Sequence, residues 1–556
     1  MNMNTPFLDL NPDASPTVHT IASLFARHLK ERTSLAVGES DAVHNDPSNL
    51  NLALRVTPGI GAEGFRIEDV SPGRICITGN DERGLLYGVG KFLRTSQYGP
   101  ESFVPGSWRG TSVPSLPVRG IYFATHFHNF YHDAPIEQVE RYVEDLALWG
   151  YNVVNVWFDM HHYSGIDDPE ARAMIERLHA ILHAANRVGI GAALVVLANE
   201  AYATSPIELR ADWTAGHDGY TREPGGHYHV ELCPSKTGAM ELEMKWVEER
   251  LAAFGDLKLD ALWIWPYDQG GCTCSQCAPW GVNGFLRLAE PIARRYRQVY
   301  PEGKVILSTW YFDHFTSGEW AGLEKAFTTR PDWVDYLLAD DYGDCFPQYP
   351  LEHGAPGGLP MVNFPEISMY ACDPWGGYGA NPMPQHVQQL WNSSRHVLQG
   401  GFPYSEGNYE DINKAICAQL FWQPDRPVED IVREYASFEY APEVVEPVLR
   451  AVAILEHNLP HARTRLDGAI HLSMQHTEGA ELAYDLLRQV DAALTPRARS
   501  AWRWRILYLR ALIDSELSRG GFEVSPICED AFEELTALYT AHHALDWIAP
   551  PTRSRR

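Results

Sequence analysis

Cysteine is scarce in this chain, nine among 556 residues, and the count is odd. That argues against a disulfide scaffold and makes a reducing cytoplasm the expected setting. Bases are also short, 45 Lys and Arg against 72 Asp and Glu, for a formal charge of −27. A surface of that sign repels nucleic acid and anionic lipid, so neither is an expected partner. No run of eighteen apolar residues occurs, so no spanning helix is expected. The opening MNMNTPFLDLNPDASP has no basic stretch leading into an apolar one, so a secretory leader is not expected. Low-complexity segments are lacking too. What remains is ordinary globular composition, 45% hydrophobic and 21% charged, rich in Trp (17) and Tyr (26). Wholesale disorder, collagen and coiled coil are thereby excluded.

The hydrophobic pattern divides the chain into three. Residues 1–115 read as a small α+β domain. Its helices are expected over Thr17–Arg32 and Asp81–Ser96, the second with Leu85, Leu86, Val89, Phe92 and Leu93 on one stripe. Strands are expected at Leu52–Val56 and Arg74–Thr78, and a Pro-rich linker at Gly99–Pro117. Residues 116–410 alternate strand, loop and helix. Eight strands are expected: Val118–Phe123, Asn152–Phe158, Gly191–Ala198, Ala261–Tyr267, Lys304–Phe312, Tyr336–Ala339, Pro360–Phe364 and Gly401–Ser405. Most are unbroken apolar runs, as strands buried on both faces should be. Helices Ile136–Trp149, Pro169–Val188, Gly238–Phe254 and Gly284–Tyr300 follow the first four. This is the pattern of a (β/α)₈ TIM barrel, with an open doubly wound sheet as the alternative. Residues 411–556 read as a helical region, with helices at Asp430–Glu439, Glu443–His457, Glu478–Ala493, Pro496–Ser518 and Pro526–His543. The fold class expected is therefore α/β: a small α+β domain, a central barrel and a helical C-terminal region.

In such a barrel, chemistry sits at the carboxyl ends of the strands. Here those ends read ATHFHN (124–129), Trp157–Phe158–Asp159, Asn199–Glu200, WPYDQ (265–269), Trp310–Tyr311–Phe312–Asp313, Asp340–Asp341–Tyr342, Pro365–Glu366 and Tyr404–Ser405–Glu406. Seven of the eight carry a carboxylate, several beside Trp or Tyr. Aromatic planes stack on sugar rings, and most glycosidases flank the scissile bond with two carboxyl groups. Taken singly, each acid is more simply a solvated loop residue or a helix cap, and Asp159 and Asp313 suit that role. Taken together they suggest a saccharide site. Asp268 is the expected general acid, since an apolar, aromatic strand leads into it and desolvation raises a carboxyl pKa. Glu366, across the mouth, is the expected nucleophile or base. Asp340 or Asp341 competes, only one of the pair being able to face the pocket; Glu406 follows. His126, His128, Trp157, Asp159, Tyr267, Gln269, Trp310, Tyr311, Trp375 and Tyr404 are expected to bind the sugar.

Cys272, Cys274 and Cys277 form C-x-C-x-x-C after the fourth strand, and Cys233 follows the third. Four thiolates there can close a structural zinc site, the alternative being reduced or mutually bonded thiols. His126, His128, His161 and His162 raise a second possibility, a metal-dependent hydrolase or isomerase. Catalysis by carboxyl groups would require no cofactor, and no Gly-rich phosphate loop indicates a nucleotide.

RGLLYGV (83–89), PVRGIYF (117–123) and WGYNVVNVW (149–157) resemble the β-N-acetylhexosaminidases of glycoside hydrolase family 20, the α-glucuronidases of family 67 and the relatives in families 84 and 163. The resemblance implies a hexosaminidase-like N-terminal domain ahead of a catalytic barrel. It departs from family 20 in two places. Ala124 and Phe127 stand where that family has an Asp and a sugar-binding Arg, and Asp268–Gln269 stands where it has an Asp–Glu pair. The missing Glu is that family's acid, which argues against acetamido-assisted chemistry. Asp268, Asp340 or Asp341, and Glu366 are distributed as the acids of family 67 are. A cytoplasmic glycosidase acting on a short saccharide is the function expected. A non-catalytic saccharide-binding barrel that lost an acid at Gln269 is a further alternative, and the oligomeric state, a homo-oligomer included, is left open.

Overall fold

The computed structural model describes residues 6–39, 49–125, 129–212, 230–267, 271–339, 345–368, 381–459, 461–466, 469–474 and 476–540. In the N-terminal unit, strands Pro6–Asp9, Gly38–Glu39, Leu50–Val56, Phe65–Ser71, Arg74–Gly79 and Gly110–Ser112 form one mixed sheet. Helices Pro16–Thr33 and Glu82–Thr95 accompany it. Ser15 caps the first by accepting the N–H of Val18, with Pro16 at the first helical position. Asp81 caps the second through the N–H of Gly84, 2.8 Å away. The stripe Leu85, Leu86, Val89, Phe92 and Leu93 is fully buried.

The centre of the chain is a closed parallel barrel. Its eight strands are Val118–Phe123, Val153–Trp157, Gly191–Leu197, Leu259–Trp265, Lys304–Ser308, Tyr336–Ala339, Met361–Asn363 and Leu398–Gly401. Strand one closes the ring, pairing Gly120 with Val153 on one side and Val118 with Gly400 on the other. Every residue of strands two and three is buried, which is why these segments read as continuous apolar runs. Helices Ile136–Trp149, Pro169–Arg187, Ala239–Ala253 and Gly284–Val299 follow the first four strands. Helix Asp411–Trp422, buried along its whole length, follows strand eight and packs on strand one. It completes the eighth strand–helix unit.

Beyond it lie helices Val428–Glu439, Val445–His457, Ala480–Ala493, Trp502–Arg519 and Pro526–Tyr539. An antiparallel pair, His461–Leu466 with Ala469–Met474, interrupts the helical run. The stretch expected as one helix from Pro496 breaks at Ala501, whose backbone is extended, into Pro496–Ser500 and Trp502–Arg519. Among the described residues, no helix is long and apolar enough to cross a membrane.

Among the ion pairs that tie the barrel to the N-terminal unit, one is deeply buried. Arg119 of strand one is fully buried and donates to the carbonyls of Gly150 (2.8 Å) and Leu116 (2.9 Å) and to the Glu63 carboxylate. Burial would push the Glu63 pKa up, but Arg119 and Arg83 outweigh it and hold it below the usual carboxylate range.

The closing seam demands glycine. Gly400 has φ +119°, and a Cβ there would overlap the carbonyl of Val118. Gly400→Ala should therefore cost about 3 kcal/mol, from backbone strain plus overpacking. Chemical denaturation read by far-UV circular dichroism checks this.

Candidate active site

The strand ends meet on one rim. At the end of strand two, Asp159 is buried, and burial raises its pKa to about 7 despite the nearby His161. His161 Nδ1 lies 2.9 Å from Glu200, at the end of strand three. Glu200 is fully buried and also accepts the indole N–H of Trp157 at 3.0 Å. Burial disfavours the imidazolium of His161, but Glu200 outweighs it and raises the pKa. Asp159 stands at the N-cap of the single helical turn Met160–His162, but its side chain makes no capping hydrogen bond there. Asp313 does serve as a cap, accepting the N–H of Glu319 at 2.6 Å. Tyr267, after strand four, donates its hydroxyl to Glu319. Burial raises Glu319 to about 7, against the hydrogen bonds from Tyr267, Gly281 and Asp313.

The other side of the rim brings together the ends of strands seven and eight. Glu366 forms a parallel β-bridge with Tyr404 and accepts the N–H of Ser368 at 3.0 Å. Tyr404 donates its hydroxyl to Glu406 at 2.9 Å. Burial holds the Glu406 carboxyl well above the ordinary range, and the charge of Glu366 adds to this. The second Glu406 oxygen has no hydrogen-bond partner among the described residues. Glu410 supports this corner, accepting the N–H of Glu406 (2.8 Å) and the hydroxyls of Ser405 (2.7 Å) and Ser368 (3.0 Å). The Lys414 ammonium lies 3.4 Å from it.

Beneath the rim is an aromatic floor. Tyr122 stacks on Tyr404 with centroids 5.7 Å apart. Trp265 meets Trp310 edge-on at 5.9 Å, and Trp310 meets Phe364 at 5.3 Å. Buried polar atoms face into this floor without a hydrogen-bond partner among the described residues: the indole N–H of Trp263 and Trp265 and both amide atoms of Asn155. Such groups are ordinarily satisfied by water or ligand.

Of the expected site residues, Glu366, Glu406, Trp157, Asp159, Tyr267, Trp310, Tyr311 and Tyr404 lie on this rim or floor. Asp268, Gln269, Asp340, Asp341, His126, His128 and Trp375 lie outside the described residues. Tyr311 takes φ +61° and touches His314 and Phe315. Cys233, Cys272, Cys274 and Cys277 gather within 4.8 Å of one another. So do Asp159, His161 and His162, although His161 is already engaged with Glu200. Sequence reasoning missed Glu319 and Glu410. Both sit at the starts of helices, where an acid reads as an ordinary first-turn residue.

No protein-family model matches the chain, and no curated protein does. Its fold is similar to those of solved glycoside hydrolases. A family 115 4-O-methyl-α-glucuronidase specific for decorated arabinogalactans matches with a TM-score of 0.63 at 12% identity, over 99% of this chain and 78% of that one. A family 89 enzyme from Clostridium perfringens, solved with GlcNAc-α-1,4-galactose, matches at 0.60 and 12%, over 95% and 65%. The family 20 β-N-acetylhexosaminidase of Streptomyces coelicolor A3(2) matches at 0.52 and 15%, over 82% and 91%. The chain thus has the glycoside-hydrolase type of (β/α)₈ fold, as the resemblance to family 20 implied.

Glu406 supplies a pH signature. A carboxyl raised in the folded state favours folding most at pH values where both states are protonated. That advantage is lost as pH climbs above about 4.3 and the unfolded chain ionises first. Glu406→Gln should lie within about 1 kcal/mol of the wild type at low pH. Between about pH 5 and 8 the wild type should lose stability relative to the variant. Urea titrations across that range test this.

Proposed function

We propose that the protein is a glycoside hydrolase acting on a terminal sugar of a short saccharide or glycoside, using carboxyl groups at the rim of its barrel. The observation that carries this reading is the Glu366–Glu406 corner. There a buried carboxyl with a raised pKa lies near enough to a second carboxyl to feel its charge, above an aromatic floor with unpartnered hydrogen-bonding groups. Glycoside hydrolysis needs such a pairing, one group to protonate the leaving oxygen and one to attack or to activate water. The similarity in fold to several glycosidases supports the same reading. The free thiols fit a reducing compartment, which we take to be the cytoplasm.

In this reading Glu366 is the nucleophile or base, and Asp268, which follows strand four, is the acid. The raised pKa of Glu406 favours a second assignment, in which Glu406 itself delivers the proton. Trp157, Trp310 and Tyr404 would border the sugar ring, and Glu200 would accept from its hydroxyls. His161, one of the histidines a metal-dependent reading would use as a ligand, is already engaged with the Glu200 carboxylate, so the carboxylate mechanism is preferred.

A panel of aryl glycosides beginning with α-uronides and N-acetylhexosaminides is the direct test. Hydrolysis of none, with binding of sugars retained, would favour the binding-protein alternative. On the substrate found, Glu366→Gln should lower kcat by about 10³-fold or more with folding intact. The acid is identified by leaving-group dependence. The variant that keeps turnover on a dinitrophenyl glycoside but loses it on an alkyl glycoside, Asp268→Asn or Glu406→Gln, has lost the proton donor.

A further inference from the structure

Two loops on the barrel mouth bring four thiols together. Cys233 lies in the loop after strand three, and Cys272, Cys274 and Cys277 lie in the loop after strand four. Their sulfurs all fall within 4.8 Å of one another, and none is in a disulfide. Cys233 Sγ stands 3.7 Å from Cys274 Sγ and 3.8 Å from Cys277 Sγ. A zinc ion bound tetrahedrally by thiolates at about 2.3 Å places neighbouring sulfurs about 3.8 Å apart. Cys233, Cys272 and Cys277 are buried, and Cys274 is partly so.

The backbone around the cluster is arranged to hold it. The Cys277 and Ala278 N–H groups both bond to the Cys274 carbonyl, at 3.0 and 2.9 Å, folding the C-x-x-C segment into a turn that points its two sulfurs the same way. The Asp212 N–H is directed at Cys272 Sγ at 3.4 Å, and the Ser235 hydroxyl lies 2.8 Å from Cys233 Sγ and 3.4 Å from Cys274 Sγ. Donors of this kind stabilise thiolate charge. The indole of Trp280 lies over Gly284 beside Cys277, where a Cβ would collide with it. At the base of the same two loops, Asn199 donates to the carbonyls of Leu232 (2.8 Å) and Gly271 (3.0 Å) and accepts the Gly271 N–H (3.0 Å).

We propose that Cys233, Cys272, Cys274 and Cys277 form a tetrathiolate zinc site that joins the loops after strands three and four. Four protein ligands fill the tetrahedron and leave no open position, so the metal is structural and takes no part in chemistry. Binding displaces the thiol protons to solvent as each sulfur becomes a thiolate ligand. The inference is independent of the glycosidase reading, since it rests on the thiols alone.

Elemental analysis of the full chain, purified under reducing conditions without added metal, should find about one zinc per molecule. Titration with p-hydroxymercuribenzoate should release that zinc into a chromogenic chelator. Cys277→Ser and Cys233→Ser should lose it, whereas Cys345→Ser, at an exposed cysteine outside the cluster, should retain it in full. Should the cluster variants fail to fold, the wild-type chain loaded with Co(II) decides, because tetrathiolate cobalt shows intense visible bands that octahedral cobalt lacks. Stripping the metal should lower the melting temperature, and Zn(II) alone should restore it. A well-folded chain without metal whose four thiols titrate freely would overturn the proposal. So would iron in place of zinc, or disulfides among the four thiols by mass spectrometry under the same conditions.

Discussion

At the seam of the barrel the Val118 carbonyl occupies the space into which a side chain on Gly400 would extend, and the Asn363 side chain does the same at Gly401. Strand eight is held between strands seven and one so closely that only glycine fits. The consequence reaches beyond the seam. Strand one runs on past its pairing with Gly400 and Gly401, so that the Tyr122 N–H meets the Pro403 carbonyl (3.2 Å) and the Ala124 N–H meets that of Ser405 (2.8 Å). This second contact sets the height of the Tyr404–Glu406 segment. Without it, residues from opposite ends of a 290-residue stretch would not meet on one rim.

A rim of that kind brings acids together in a place short of water, and like charges so arranged repel. Each acid here is accommodated differently. Glu200 accepts from an indole and pairs with an imidazole. Glu410 takes two hydroxyls, backbone N–H groups and the nearby Lys414 ammonium. Glu319 accepts a phenol, which leaves Tyr267 fixed rather than free to rotate. Glu406 is buried with one oxygen unpartnered among the described residues, and burial together with the charge of Glu366 raises its pKa. The asymmetry is chemical, since a carboxyl whose surroundings raise its pKa is the kind suited to donate a proton.

The barrel was legible because its strands are buried on both faces and its helices on one. Segments such as Gly191–Leu197 and Ile136–Trp149 carry those two periodicities without interruption. Misplacements occur where the backbone departs from the pattern. Lys304–Phe312 reads as one apolar strand, but pairing stops at Ser308 and Tyr311 turns to positive φ. Of the expected Gly401–Ser405, Tyr404–Ser405 is a short strand paired with strand one, but the barrel's eighth strand, Leu398–Gly401, lies ahead of it because LQGG shows too little side chain to read as a strand, and its glycines are required by the seam. Phe65–Ser71 went unread because only Phe65 and Ile67 are buried. At the rim, acids next to aromatics could be picked out by position. The Tyr267–Glu319 partnership could not, because it joins residues that meet only once strands four and five pair, and Glu410, four residues after Glu406, reads as an ordinary acid at a helix start.

Solved glycosidases share this architecture at 12–15% identity, so burial pattern and closure suffice for the frame and do not prescribe the chemistry. Specificity must then come from the loops beyond the strands, which in a barrel are free to vary but must not be free to move. In this chain the loops after strands three and four are joined twice, near the floor by Asn199 and farther out by the cluster of cysteines. Those loops border Glu200 on one side and Tyr267 on the other. The described parts of those loops stand across the barrel mouth from the Glu366–Glu406 corner. Under the proposed function, a zinc-joined pair of loops would present a sugar with polar and aromatic groups opposite two carboxyl groups, leaving little reorganisation for the moment of bond cleavage.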